Sequence, residues 1–240
     1  YDFLKPENKG KKAYVCNGTA CVCAGTQEKV KEVLGKHLEA HEIGHMTCLG
    51  RCHENAAFNY DNQNYSGGAL NEIESILATK NGTQDDYAVK AHGKAILTAE
   101  FTNIDHYYAS FKAALKRDSG GVLEEIKTSN VRGRGGAGFP MGLKLGFCRE
   151  TENDTKFIIC NADEGDPGAY SDRYLLEQQP HSVLYGMLIA GYVTHANWGV
   201  LYIRAEYPDA ARIVQNEIDA LRASGLIGEN IDGSGFTFDF

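Results

Sequence analysis

Apolar residues recur along this chain at two periods, and the changes of period divide it into elements. Over residues 27–40, Val30, Val33, Leu34 and Leu38 share one helical face; over 70–80, Leu70, Ile73, Ile76 and Leu77 repeat that spacing. Between and before them lie shorter stretches that read as extended, at 12–15 and 41–47. The stretches 58–60 and 64–66 flank an Asp-Asn-Gln turn and form a hairpin. The order of strand, helix, strand, hairpin and helix over 12–79 predicts a compact α/β layer with cysteine loops at its edge. A polar stretch over 80–94, with Asn-Gly and Asp-Asp pairs, reads as a linker.

Downstream, helices are expected over 106–116, 122–129, 173–179, 182–195 and 208–222, with a break at Pro180. The last of these sets Ala210, Ile213, Val214, Ile218 and Leu221 on an inner face. Strands are expected over 156–160 and 200–204. Helix and strand alternating between glycine loops predict a mainly parallel sheet. The aromatic alternation over 236–240 is how a strand begins, so the sequence is expected to be a piece of a longer chain.

At 240 residues there is room for one large domain or two smaller ones, each with its own core. A net charge of −8 argues against a nucleic-acid partner, which needs a basic face. There is no basic-then-apolar leader pattern and no run of about eighteen apolar residues, so a cytoplasmic protein without a membrane span is expected. The longest apolar stretch, 183–193, is interrupted by glycine and tyrosine and reads as a buried helix. Seven cysteines make an odd number for a disulfide framework, and reduced thiols or a metal site fit better.

Two blocks carry the chemistry. The first is the loop Arg132-Gly133-Arg134-Gly135-Gly136-Ala137-Gly138-Phe139-Pro140, whose glycines let the backbone approach a phosphate or a flat ring. The second is the acidic turn Asn161-Ala162-Asp163-Glu164-Gly165-Asp166-Pro167-Gly168, whose carboxylates and amide suit sugar hydroxyls and a carboxamide. Gly133, Gly135 and Gly138 spell G-x-G-x-x-G, but the helix expected before them is not the strand that a dinucleotide fold requires. Phe139 offers a ring face and Lys144 a charge for a phosphate. Together the blocks describe a nucleotide-cofactor site; singly, each also reads as an ordinary glycine turn or a self-capped loop.

Four residues separate Cys16 from Cys21 and three separate Cys48 from Cys52, on two glycine-containing loops. A [2Fe–2S] cluster takes two thiolates on each iron, and that spacing favours it over structural zinc, which prefers tighter Cys-x-x-Cys knuckles. Cys23, Cys148 and Cys160 are left out of the set. His41-Glu42-Ile43-Gly44-His45 matches the zinc-peptidase pattern H-E-x-x-H, with Glu72 available as a third ligand. It runs straight into the second cysteine loop, however, and is read as a chance match.

Residues 132–144 and 160–173 closely resemble the FMN/NADH signatures of the NADH-oxidising flavoprotein subunit of respiratory complex I. The same module occurs in NAD-reducing and electron-bifurcating hydrogenases and in NAD-dependent formate dehydrogenases. Glu177 to His181, Gly186-Met187, Tyr202-Ile203-Arg204-Ala205-Glu206-Tyr207 and 223–235 continue the match, which covers roughly 105–240. The N-terminal part resembles the thioredoxin-like [2Fe–2S] domain fused ahead of this flavoprotein in soluble hydrogenases and formate dehydrogenases, and the four cysteines fall on its ligand positions.

The resemblance implies a thioredoxin-like [2Fe–2S] ferredoxin domain over 1–80, a linker over 81–104, and a Rossmann-like FMN/NAD(H)-binding α/β domain over 105–240 that is incomplete at its C-terminus. It implies that Gly133, Gly135, Gly136 and Gly138, in the loop with Arg134, hold FMN together with Lys144. Asn161, Asp163 and Glu164 would bind the ribityl chain and ring region, Asp166 the nicotinamide carboxamide, and Phe139 would face NADH. It further implies partner subunits carrying iron–sulfur and catalytic centres in a hydrogenase or formate dehydrogenase complex, with a [4Fe–4S] centre only in a longer chain. Asp166 stands where many relatives carry glutamate, and the Gly-Asp-Pro-Gly form looks more like the bifurcating branch. Met141 and Leu145 replace a common threonine and tryptophan. A complex I subunit and a non-catalytic iron–sulfur carrier are the competing readings.

Overall fold

A computed structural model describes residues 2–80, 92–166 and 168–240. The expected linker therefore lies partly outside the described residues, at 81–91, as does Pro167 of the acidic turn. In chain order the elements are β1 (Ala13–Cys16), α1 (Thr19–Cys23), α2 (Gln27–Leu34), β2 (Ile43–Met46), β3 (Phe58–Tyr60), β4 (Gln63–Tyr65) and α3 (Ile73–Thr79). There follow α4 (Ile104–Tyr107), α5 (Ala109–Leu115), α6 (Ser119–Ser129), α7 (Met141–Glu150), β5 (Phe157–Ala162), α8 (Ser171–Gln178), α9 (Pro180–Thr194), β6 (Trp198–Ile203) and α10 (Pro208–Ala223). The chain divides into two compact units. One comprises Tyr1–Lys90, Ala162–Gln178 and Ile203–Ile213; the other comprises Ala91–Asn161, Gln179–Tyr202 and Val214–Phe240.

The first unit is built on a four-stranded sheet in the order β2-β1-β3-β4. β1 and β2 run parallel, joined through α2, whereas β3 and β4 pair antiparallel as the expected hairpin. Asp61 and Asn62 make the two-residue turn at φ of 49° and 63°, the mirror-image geometry that matches strand twist and that Asp and Asn tolerate. Val15, Val30, Leu34, Phe58, Ile73 and Ile76 fill the core. The helix expected over 27–40 stops at Leu34, with Gly35 as its cap, while Leu38 still packs on the core from an irregular turn. The helix expected over 70–80 is divided into a 3-10 segment, Gly67–Glu72, and α3. Helix α1, inside the first cysteine loop, was not expected.

In the second unit α6, α7 and α9 pack around Val122, Leu123, Leu145, Ile189 and Val193. The Asp118 carboxylate accepts the Gly121 N–H at 2.8 Å and starts α6 three residues before the apolar pattern does. The expected break falls between α8 and α9, with Pro180 as the first residue of α9, a position where its missing N–H has no partner to lose. The carbonyls at the C-terminal end of α9 are met by cations: Arg149 donates to the Val193 carbonyl at 2.7 Å and Lys156 to that of Thr194 at 3.2 Å.

The mainly parallel sheet does not form among the described residues. β5 and β6 pair as two strands, extended only by a parallel bridge from Trp198 to Asp239. Residues 236–240 are thus partly paired, as their alternation suggested, with Phe238 fully buried. One face of β5–β6 presents Phe157, Ile159, Trp198, Val200 and Tyr202, each between 44% and 66% exposed. No helix among the described residues is long and apolar enough to cross a membrane.

Candidate functional site

The first unit brings the two cysteine loops together. Cys16 ends β1 and Cys21 lies on α1, the Cys16 thiol hydrogen-bonded to that of Cys21. Cys48 and Cys52 lie 3.4 Å apart, sulfur to sulfur. A Cβ built on Gly18 would stand 3.0 Å from the Cys48 Cα, so the loops meet at a position that admits only glycine without a shift. The bond from Cys16 holds the Cys21 thiol down to about 7 and, with burial, raises Cys16 itself. Burial, and then the neighbouring Cys48, push Cys52 up to about 11. The charges couple across the pairs, Cys21 with Cys52 and Cys52 with Cys16. Cys23, two residues beyond Cys21 on α1, is exposed.

Among the described residues no three His, Cys, Asp or Glu side chains surround one point as a single-ion site requires. Two thiol pairs on abutting loops fit instead a centre that asks for only two thiolates at each metal. The H-E-x-x-H string is dismantled by the fold. His41 and Glu42 lie in a 3-10 turn and His45 on β2, and Glu42 pairs with Lys12 and accepts the Glu39 N–H at 3.0 Å.

The acidic turn belongs to this same unit from Ala162 onward. Its carboxylates divide by role. Glu164 is buried and accepts the Asp172 N–H at 2.9 Å, the Arg173 N–H at 3.1 Å and the Ser171 hydroxyl at 3.1 Å, so it caps α8. Asp163 is 42% exposed, with Oδ1 3.9 Å from the Arg204 Nε, and Asp166 is exposed. Two buried arginines stand behind the turn. Arg173 donates to the Gly50 carbonyl in the second cysteine loop and to Glu177. Arg204 donates to the carbonyls of Glu164 at 2.7 Å, Thr47 at 3.3 Å and Cys48 at 3.4 Å, and faces Glu206 at 3.5 Å. Asn64 adds bonds to the carbonyls of Leu49 and Glu206, and the Tyr207 ring lies against Gly50. Arg173 had no role in the sequence reading, and Arg204, Glu206 and Tyr207 appeared only within a matching string. For Arg204 and Glu206 the available signal was two opposite charges two positions apart directly after the apolar β6, a spacing that lets them pair where they are buried.

The glycine loop lies in the second unit, between α6 and α7. It is closed by the Gly133 N–H donating to the Phe139 carbonyl at 2.9 Å, by Met141 N–H to Val131 at 2.9 Å, and by the Arg132 guanidinium to the Gly138 carbonyl at 3.1 Å. Gly136 and Gly138 take φ of +109° and +60°. A Cβ built on Gly135, Gly136 or Gly138 would meet nothing within 4 Å, so this backbone faces open space. The loop runs directly into the N-terminus of α7, whose first turn carries the exposed Lys144; Phe139 is 48% exposed. Open glycine backbone, a helix N-terminus and a lysine make an anion cradle beside an available ring face. Gly142 fixes the helix behind it: a Cβ there would stand 2.7 Å from the Lys127 Cα of α6.

A glycine cradle feeding a helix N-terminus, in a mixed α/β chain, is an arrangement suited to a phosphate-bearing cofactor. Residues 126–234 match the family model of the Nuo51 FMN-binding domain. Over 142 residues the chain is 47% identical to the NADP-reducing hydrogenase subunit HndC of Solidesulfovibrio fructosivorans, covering 57% of this chain and 29% of that protein. It is 46% identical over 119 residues to the NAD-reducing hydrogenase HoxS subunit alpha of Cupriavidus necator, covering 49% and 20%. Against the mitochondrial NADH dehydrogenase [ubiquinone] flavoprotein 1 of Dictyostelium discoideum the identity is 39% over 176 residues, covering 72% and 34%. The matched parts thus span a fifth to a third of these relatives. An NAD+-reducing [NiFe]-hydrogenase in its H2-reduced state shares the fold, with a TM-score of 0.69 over 95% of this chain and 42% of that one at 23% identity.

Proposed function

We propose that the protein is an NAD(H)-dependent flavoprotein subunit. It would exchange a hydride between NAD(H) and FMN, and single electrons with iron–sulfur centres, in a cytoplasmic multi-subunit hydrogenase or formate dehydrogenase. The observation that carries this reading is the open backbone of Gly135, Gly136 and Gly138 leading into α7, within the segment that matches an FMN-binding family. Bound FMN supplies the conversion of a two-electron hydride into single electrons.

The chain's own residues bind and orient. The amides around Gly133 to Gly138 and the α7 N-terminus take the phosphate, with Lys144 adding charge. Phe139 offers its ring to the nicotinamide. Asp163 and Asp166, exposed on the acidic turn, serve hydroxyls and the carboxamide, and Asn161 of β5 is read as a further polar contact to the cofactor. Glu164 acts behind them by holding the turn to α8. The Gly165-Asp166-Pro167-Gly168 form supports the electron-bifurcating branch.

The N-terminal unit is read as a thioredoxin-like domain over 1–80 holding a [2Fe–2S] cluster on Cys16, Cys21, Cys48 and Cys52. Its parallel β1–α2–β2 unit followed by the β3–β4 hairpin and α3 supports the topology, and the paired thiols support the ligand set. A cluster unit on the same chain as the flavin segment favours the hydrogenase or formate dehydrogenase kind. The reading as a complex I flavoprotein subunit rests on the NADH dehydrogenase relative that aligns with 72% of the chain.

Anaerobic purification followed by absorbance and fluorescence of released flavin tests the proposal. About one FMN per chain, bleached by NADH, is the expected result. A chain that binds no FMN when the cofactor is supplied overturns it.

A further inference from the structure

Within the first unit, the acidic turn and the second cysteine loop are joined at two points. The Gly168 N–H donates to the Cys52 sulfur at 3.3 Å. The guanidinium of Arg204 bridges the Glu164 carbonyl at 2.7 Å and the Cys48 carbonyl at 3.4 Å. Arg204 is 6% exposed, so its charge is poorly screened by solvent, and its bonds to the Thr47 and Cys48 carbonyls hold it against the second cysteine loop. Asp163, at 3.9 Å on its solvent side, and Glu206, at 3.5 Å and buried, offset part of that charge.

We propose that Arg204 is a positioning residue that sets the one-electron potential of a [2Fe–2S] cluster on Cys16, Cys21, Cys48 and Cys52. Asp163 tunes that effect, so the redox poise of the cluster responds to what sits on the acidic turn. The inference rests on the cluster reading above. A cluster gains a negative charge on reduction, and a buried cation bonded to the ligand loop stabilises that form; donors to the ligand sulfurs and their backbone act in the same sense. A ligand that covers Asp163 alters how far its carboxylate opposes Arg204, and through Arg204 alters the cluster.

The test is an anaerobic redox titration of the purified protein followed by the EPR signal of the reduced cluster, with iron content measured on the same samples. At the potential where the wild-type cluster is half reduced, Arg204→Gln lowers the reduced-to-oxidised ratio about tenfold, ~59 mV for one electron. Glu206 is then left buried without its cation and adds to the effect. Arg204→Lys keeps the charge and stays within about threefold of wild type, whereas a purely mechanical clamp, losing its forked geometry, would fail as badly as with glutamine. Asp163→Asn, at a half-exposed position, moves the ratio the opposite way. Unchanged ratios in R204Q and D163N overturn the inference, as does R204K falling with R204Q. Where R204Q is not recovered folded, an unmoved D163N alone overturns it. Wild-type protein without iron and without the EPR signal overturns the cluster reading itself; iron in place with unmoved potentials overturns only this inference.

Discussion

Glu164 and Arg173 are joined through the main chain and not through their charges. The Glu164 carboxylate accepts the Arg173 backbone N–H at 3.1 Å, while the Arg173 guanidinium turns away to the Gly50 carbonyl and Glu177. With the Asp172 N–H and the Ser171 hydroxyl on the same carboxylate, Glu164 is the cap of α8 and the anchor of the acidic turn. Glu164→Ala strands these donors in a buried site and is expected to cost about 2 kcal/mol, with Glu164→Gln costing about half as much. Urea unfolding of the variants measures this. A cofactor contact without a capping role would appear instead as lost flavin in E164Q at an unchanged urea midpoint.

The glycine cradle depends on a second close contact. Because a Cβ on Gly142 would stand 2.7 Å from the Lys127 Cα, Gly142→Ala must push α7 off α6 and carry the loop with it. A loss of about 1–3 kcal/mol is expected, together with weaker FMN retention. Gly135→Ala, where the Cβ meets nothing within 4 Å, is the comparison: it leaves the urea midpoint nearly unmoved while reducing flavin occupancy. Wild-type flavin retention in both variants would count against the cradle.

What the sequence revealed depended on where the physics was local. The β3–β4 hairpin was legible because side-chain alternation and the Asp61-Asn62 turn are both short-range, and the cradle because clustered glycines mark close approach. Helix α7 was not legible, since its pattern is inverted: Met141, Leu143 and Phe147 are exposed, whereas Gly142 and Gly146 are the buried positions. No apolar stripe announces a helix that packs through glycine. The network of Arg204 was hidden for a different reason, its bond to the Cys48 carbonyl joining residues 156 positions apart. The position of the cysteines was readable, but not the buried cation that holds one of their loops.

His195 gives the second unit a pH signature. It caps α9 at φ of 60°, and its Nε2 lies 3.0 Å from the Ser119 hydroxyl, which itself accepts from Arg149 at 2.9 Å. With Arg149 on one lone pair, the Ser119 proton is free to be donated to a neutral imidazole. Burial, then Arg149 and Lys156, lower its pKa below the ordinary 6.5, with Asp118 opposing. A lowered folded-state pKa means that protons bind the unfolded chain more readily. The stabilisation is complete above 6.5 and is lost as pH falls through the lowered value. An asparagine in place of His195 would keep the left-handed cap without titrating. The stability difference between wild type and His195→Asn is thus expected to shrink between about pH 8 and pH 5 in urea titrations. A difference constant across that range would remove His195 from the pH response.

The four-thiol assignment makes the sharpest demand. Cys16 with Cys21 and Cys48 with Cys52 form two pairs on loops in contact at Gly18, and each metal of a [2Fe–2S] centre needs one such pair. Removing a single thiol leaves one metal under-ligated, so serine at any of the four positions is expected to cut iron and acid-labile sulfide to less than half of about two each per chain. Serine at Cys23, Cys148 or Cys160 leaves both unchanged. Zinc uses four ligands around a single ion, so it would report about one metal per chain and no sulfide. That stoichiometry in the wild-type protein would overturn the cluster and return the N-terminal unit to a structural role.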